Sequence, residues 1–156
     1  MNQKFRHLVI LLLGGVLFSL DRWLKWQTLY TWDSSNLIHK WFGWFPFHNP
    51  GIAFGLPVPG WLQILLTTPV LIVLIVLFVK NISSPESKLL KTLAFSFVFA
   101  GALSNLIDRV LYNFTVDYLL IVKSIINLAD VLVVVGFLIY FLQLKKKEVS
   151  SLQKSN

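Results

Sequence analysis

Seven carboxylates serve a chain of 156 residues: Asp21, Asp33, Glu86, Asp108, Asp117, Asp130 and Glu148. Two of them have the spacing for joint chemistry. Asp117 follows Thr115-Val116, and Asp130 ends the string Ile126-Asn127-Leu128-Ala129-Asp130 about a dozen residues later. Two carboxylates that share a site do not both ionise cheaply, so one keeps a proton while the other stays charged. Such a pair activates water: the ionised member takes a proton from it, and the protonated member polarises a carbonyl. The chemistry is amide hydrolysis without a metal or a thiol. The same residues also have plainer readings. Asn127 with Asp130 three residues on matches a helix N-cap with an acidic third residue, and Asp117 could be a loop acid satisfied by Lys123. Asp108-Arg109 reads equally as an interfacial ion pair, and Asp21 with Lys25 as an i,i+4 pair on one helix face.

Other chemistries lack their residues. There is no cysteine, which removes disulfides, zinc–thiolate sites, iron–sulfur clusters and cysteine nucleophiles together. His7, His39 and His48 are scattered, with no H-x-x-x-H or H-E-x-x-H spacing, so no metal site is expected. No G-x-S-x-G string supports a serine nucleophile, and no cofactor is implied.

The elements that must position the acids are apolar. The chain is 56% hydrophobic and 13% charged, against about 25% charged for an ordinary soluble domain, and its mean hydropathy is +0.70. Four apolar stretches, at about 8–29, 61–79, 89–107 and 125–144, approach the roughly 20 residues of a spanning helix. The first resembles a secretory signal peptide but lacks an A-x-A-like cleavage site, and is read as a retained helix. Nine of the 14 Lys and Arg residues fall at one set of helix ends and five at the other. By the positive-inside rule both termini are cytoplasmic, including a basic tail at 145–156. The basic excess is therefore a topology signal, and nucleic acid is not expected as a partner. Asp21, Asp108, Asp117 and Asp130 then lie near the outer face, where acids close to hydrocarbon are functional candidates.

All 6 Trp fall between Trp23 and Trp61, and Trp41-Phe42-Gly43-Trp44-Phe45-Pro46-Phe47 is almost wholly aromatic. Such rings collect at the headgroup level. The expected fold is an all-α polytopic membrane protein of one domain. It has four transmembrane helices and a small, partly β, interfacial subdomain at about 30–60, between helices 1 and 2.

At this point the residues resemble a known family, the bacterial lipoprotein signal peptidases, or signal peptidase II. Asn49-Pro50-Gly51-Ile52-Ala53-Phe54 is similar to the family's N-x-G-x-A-F block, and Gly101-Ala102-Leu103-Ser104-Asn105-Leu106-Ile107-Asp108-Arg109 to its G-A-L-G-N-x-x-D-R block. Val116-Asp117 resembles the V-D that carries the first catalytic aspartate, and Asn127-Leu128-Ala129-Asp130 the F-N-x-A-D block that carries the second. Asp21 and Lys25 match polar positions at the end of the family's first helix. The resemblance implies an aspartic endopeptidase of the bacterial cytoplasmic membrane. It would cleave prolipoproteins before a diacylglyceryl-modified cysteine and be blocked by globomycin.

Carried over, the catalytic pair is Asp117 and Asp130, with Asn49, Gly51, Asn105, Asp108, Arg109, Asn127 and Ala129 lining or supporting the site. Ala100 and Ser104 stand where the family often has glycine, and Ile126 where it has Phe, so helix approach or pocket shape is expected to differ. The aromatic segment is expected to rest on the outer leaflet and clamp lipid and peptide, with Trp41 and Trp44 taking part. A small transporter or proton relay, and a non-catalytic lipid-binding subunit, are the rival readings.

Overall fold

The computed structural model describes residues 2–32, 34–51, 58–83 and 89–155. Asp33, Glu86, Lys88, Gly55 and the Ile52-Ala53-Phe54 part of the first motif lie outside the described residues. Four long helices, α1 (Gln3–Tyr30), α2 (Gly60–Ser83), α3 (Leu89–Tyr112) and α4 (Leu128–Ser155), are joined by strands β1 (Asn36–His39), β2 (Phe42–Asn49), β3 (Thr115–Ile121) and β4 (Ser124–Ile126). Each helix contains a stretch long and apolar enough to cross a membrane, and the protein is a multi-pass membrane protein. Large side chains such as Leu65, Leu66 and Val70 of α2 and Phe137, Leu138 and Phe141 of α4 are exposed, as faces solvated by lipid should be.

Helix α3 is the hub and packs against α1, α2 and α4. Its buried side contains Thr92, Ala94, Phe95, Val98, Ala100, Gly101, Ser104, Asn105 and Asp108. Lipid is as apolar as leucine, so helices in it associate through close packing and polar contacts, which small residues permit. A Cβ on Gly101 would collide with the Ala129 carbonyl oxygen, and one on Gly136 would meet the Ala94 carbonyl oxygen at 2.8 Å. These two glycines set the α3–α4 approach.

The four strands form one antiparallel sheet in the order β1-β2-β3-β4. Strands β1 and β2 fall within the segment at about 30–60 that was expected to be partly β. The other half of the sheet comes from the link between α3 and α4, which the sequence reading took as a loop and as the start of a helix at 125. Ile121 pairs with Ser124, which leaves a two-residue turn at Val122-Lys123. Val122 has φ 59°, a conformation normally marked by glycine or asparagine, so the hairpin carries no turn signal. Helix α4 accordingly begins at Leu128, and α3 runs on through Asp108-Arg109 to Tyr112. Pro46 sits in β2 where the pairing with β3 shifts between Trp44 and Phe47, a position that needs no ladder donor.

Candidate active site

Strand β3 carries Asp117 opposite Phe47 of β2, and the first turn of α4 carries Asp130. One residue joins them. The Asn127 side-chain oxygen accepts from the Asp130 N–H at 2.8 Å, while the Asp130 carboxylate accepts from the Asn127 N–H at 3.3 Å. This is a capping box, with both groups satisfying donors at the helix start. The Asn127 side-chain amide meanwhile donates to Asp117 Oδ1 at 2.6 Å. Helix capping and carboxylate pairing, which compete as readings of the sequence, are here the same structure.

Each carboxylate has a second amide donor. Asn49, at the end of β2, donates to Asp117 Oδ2 at 2.9 Å, and its own Oδ1 accepts from the Gly51 N–H at 3.0 Å. Asn105 of α3 donates to Asp130 Oδ1 at 2.8 Å. Asp117 is buried, and its pKa is pushed up to about 7. Burial is the main cause and the nearby Asp130 adds to it; the Asn49 and Asn127 hydrogen bonds and the Lys25 charge oppose it. Lys123 is not its partner in this arrangement.

Behind the pair lies a buried ionic cluster. Lys25, Asp21 and Asp108 are fully buried, with the Lys25 ammonium 3.3 Å from Asp21, 2.7 Å from Asp108 and 2.7 Å from Asn105 Oδ1. Asp21 and Lys25 are thus the expected i,i+4 pair. Asp108 pairs with Arg22 and Lys25, not with its neighbour Arg109, because consecutive helical residues point in different directions. Asp108 also accepts from the Val116 N–H at 3.1 Å, which ties β3 to α3 just before Asp117. Asp21 Oδ1 accepts from the Ala129 N–H at 3.1 Å.

Tyr118 and Ser104 complete this cluster; Ser104 stood out in the sequence only as a departure from the family pattern, and Tyr118 not at all. The Tyr118 hydroxyl donates to Asp21 and accepts from the Leu128 N–H, both at 2.9 Å. Burial and the Asp21 charge raise its pKa. Ser104 donates to Asp21 Oδ2 at 2.6 Å, so this departure from the family pattern adds a polar contact. Only the position of Tyr118 directly after Asp117 could have drawn notice.

Asp117, Asp130, Asn49, Asn105 and Arg109 line a cavity of about 1010 Å³, whose apolar wall includes Val131 and Val134. The Arg109 Nε is buried without a hydrogen-bond partner, and its charge acts on Asp130, Asp108 and Asp117. Among the described residues no group of three His, Cys, Asp or Glu side chains could hold a metal ion. The cavity therefore brings both carboxylates together with the Arg109 guanidinium, whose Nε itself is buried.

The sequence profile of Signal peptidase (SPase) II matches residues 13–146. The chain belongs to the signal peptidase II family. Among its relatives, the lipoprotein signal peptidase of Moorella thermoacetica is 33% identical over 86% of this chain and 91% of its own. That of Clostridium novyi is 34% identical over 82% and 90%. A solved structure described as a bacterial membrane enzyme superposes with TM-score 0.80 at 27% identity, over 90% of this chain and 89% of the other. A second such structure gives 0.73 at 26% identity. The G-A-L-S-N-L-I-D-R and N-L-A-D blocks that carry the resemblance to this family are the ones that meet at Asn105 and Asn127.

The aromatic segment divides in two. Trp44 stacks on Tyr118, with ring centroids 4.9 Å apart, and meets Trp32 edge-on at 5.0 Å; Trp32 in turn meets Trp23 of α1 at 5.6 Å. Trp44 thus braces the sheet against α1. Trp41, Phe42, Phe45 and Phe47 stay exposed, with the Lys40 ammonium 5.2 Å from the Trp41 ring centroid. The stacking accounts for Trp44, whereas Trp41 stays exposed.

Proposed function

We propose that this protein removes the signal peptide of bacterial prolipoproteins, hydrolysing the peptide bond before a diacylglyceryl-modified cysteine with Asp117 and Asp130 as the catalytic pair. Membership of the signal peptidase II family supports the substrate class. The observation that carries the pair is Asn127, which holds one carboxylate through its side chain and the other through its backbone.

The dyad shares one proton. The ionised carboxylate takes a proton from a water between the two, and the water oxygen attacks the scissile carbonyl carbon. The protonated carboxyl gives its proton to the carbonyl oxygen, forming a gem-diol. Collapse returns a proton to the nitrogen as the C–N bond breaks, releasing the cysteine amine and the signal-peptide acid. Asn49, Asn105 and Asn127 keep both carboxylates aimed at the cavity. Arg109, which lines the cavity, uses its guanidinium to orient a substrate carbonyl or ester oxygen. The substrate arrives from the bilayer, and the exposed face around Trp41 rests on the outer leaflet and covers lipid and peptide. Both termini are cytoplasmic in this arrangement, in line with the distribution of Lys and Arg. Globomycin competes for the same cavity.

The deciding experiment is cleavage of a diacylglyceryl-modified prolipoprotein by purified protein in detergent, beside Asp117→Asn and Asp130→Asn. Cleavage before the lipidated cysteine, abolished in both folded variants, is expected. Cleavage surviving in either variant rejects the pair. No cleavage by the folded wild type rejects the peptidase reading in favour of transport or lipid binding.

A further inference from the structure

The sheet has two outer strands, and they differ. β1 is interrupted by a register shift between Leu37 and His39, and none of its residues lines the cavity that holds Asp117 and Asp130. β4 is the other edge. All three of its residues, Ser124, Ile125 and Ile126, line that cavity. Its last residue adjoins Asn127, which holds both carboxylates. The strand itself has no bulge, no proline and no charge, the devices that usually close an edge to pairing.

The register fixes which backbone groups face outward. Ile121 and Ser124 close the two-residue turn, so they are a hydrogen-bonded pair. Leu120 with Ile125 is then a pair of the other kind, and the N–H and C=O of Ile125 point away from β3. Neither group has a hydrogen-bond partner among the described residues. A free main-chain donor and acceptor beside apolar walls are costly to leave unpaired. A membrane-borne peptide has the complementary need. The bond to be cut must leave its helix to expose its carbonyl, and N–H and C=O groups freed near hydrocarbon require partners.

We propose that β4 is a docking edge for substrate: the prolipoprotein segment next to the scissile bond adds to the four-stranded sheet as a further strand, exchanging hydrogen bonds with Ile125. This inference rests on the peptidase reading. Pairing at an edge is made by main-chain bonds and tolerates varied side chains. Ile125 stands two residues before Asn127, about 7 Å of extended chain. The substrate residue beside Ile125 therefore stands about two residues from the bond laid over Asp117 and Asp130. Only Ile125 turns both its groups outward from β4, so a single substrate N–H takes part.

The test is a scan of a diacylglyceryl-modified prolipoprotein peptide. Each amide within about three residues of the scissile bond, the scissile one excepted, is replaced in turn by an ester, which removes one N–H without adding bulk. The wild type should cleave one ester, about two residues from the scissile bond, about tenfold more slowly in kcat/KM, and the others like the parent. Ile125→Pro removes the donor on the enzyme and sets a ring on the edge. The N–H lost there makes no ladder bond, so the β3–β4 hairpin survives. This variant should cleave the parent about tenfold more slowly and no longer distinguish the sensitive ester from it. A purely structural role of Ile125 would leave that distinction intact. A flat scan overturns the proposal, as does sensitivity spread over consecutive amides or an ester effect unchanged in Ile125→Pro. If Ile125→Pro fails to fold, the wild-type scan decides alone. A folded wild type that cleaves no peptide rejects the peptidase reading and the docking edge with it, whereas efficient cleavage with a flat scan rejects the docking edge only.

Discussion

Asp117 is held in a setting that costs stability, and replacing it with asparagine should expose that cost. Its pKa rises from 3.8 to about 7 on folding. Between those values the folded protein binds more protons than the unfolded chain, so stability falls as pH rises through this window. At 1.36 kcal/mol per unit the loss amounts to about 4 kcal/mol by pH 8 and vanishes near pH 4. Asparagine cannot ionise, but its NH2 group would face one of the amides that now donate to Asp117, from Asn49 or Asn127. That mismatch costs about 1–3 kcal/mol at every pH. Asp117→Asn should therefore be less stable than wild type at pH 4 and more stable at pH 8, by about 1–3 kcal/mol each way. The assay is thermal unfolding in detergent across pH 4–8, with cleavage measured on the same samples. The change in the difference between the two proteins isolates ionisation, since the amide mismatch does not titrate. A difference that stays flat across this range would falsify the account of Asp117, whatever the variant does to cleavage.

The shared proton also sets a pH–rate profile: kcat/KM should fall about tenfold per unit above the pKa near 7 as the dyad loses its last proton, and a rate still rising at pH 9 argues against it. Gly101→Ala drives a methyl onto the Ala129 carbonyl and should cost about 1–3 kcal/mol in unfolding experiments, whereas Gly15→Ala, with open space before it, should gain about 0.5–1 kcal/mol. Lys25→Met leaves Asp21 and Asp108 buried without this cation and should destabilise by about 3–5 kcal/mol, largely restored by adding Asp21→Asn and Asp108→Asn; no recovery in the triple variant would mean that the lysine stem matters more than its charge. Trp44→Ala should lower the unfolding temperature through loss of its stacking on Tyr118, while Trp41→Ala should raise KM for lipidated substrate with unfolding unchanged.

Composition and the distribution of charge determine most of the architecture. A chain so poor in charge has to bury its surface in lipid, and four stretches of spanning length point to four membrane helices. Asp117 and Asp130 stood out because acids in such a chain are few and each needs a reason, whereas Asn49 and Asn105 were legible only through their resemblance to the family's motifs. What only the tertiary structure decided is how those residues meet. A hydrogen-bond partner is a relation between segments far apart in sequence. The pairing of Asp108 with Arg22 and Lys25, the linkage of Asp21 to Tyr118, and the role of Ser104 therefore left no local trace. The β3–β4 hairpin was hidden for a different reason: Val122 holds a turn conformation without the residue that announces one, and an apolar run shows no strand period. The open space beside Gly15 was beyond sequence altogether, since a glycine that permits close packing and one that leaves a gap are the same letter until the neighbouring helix is in place.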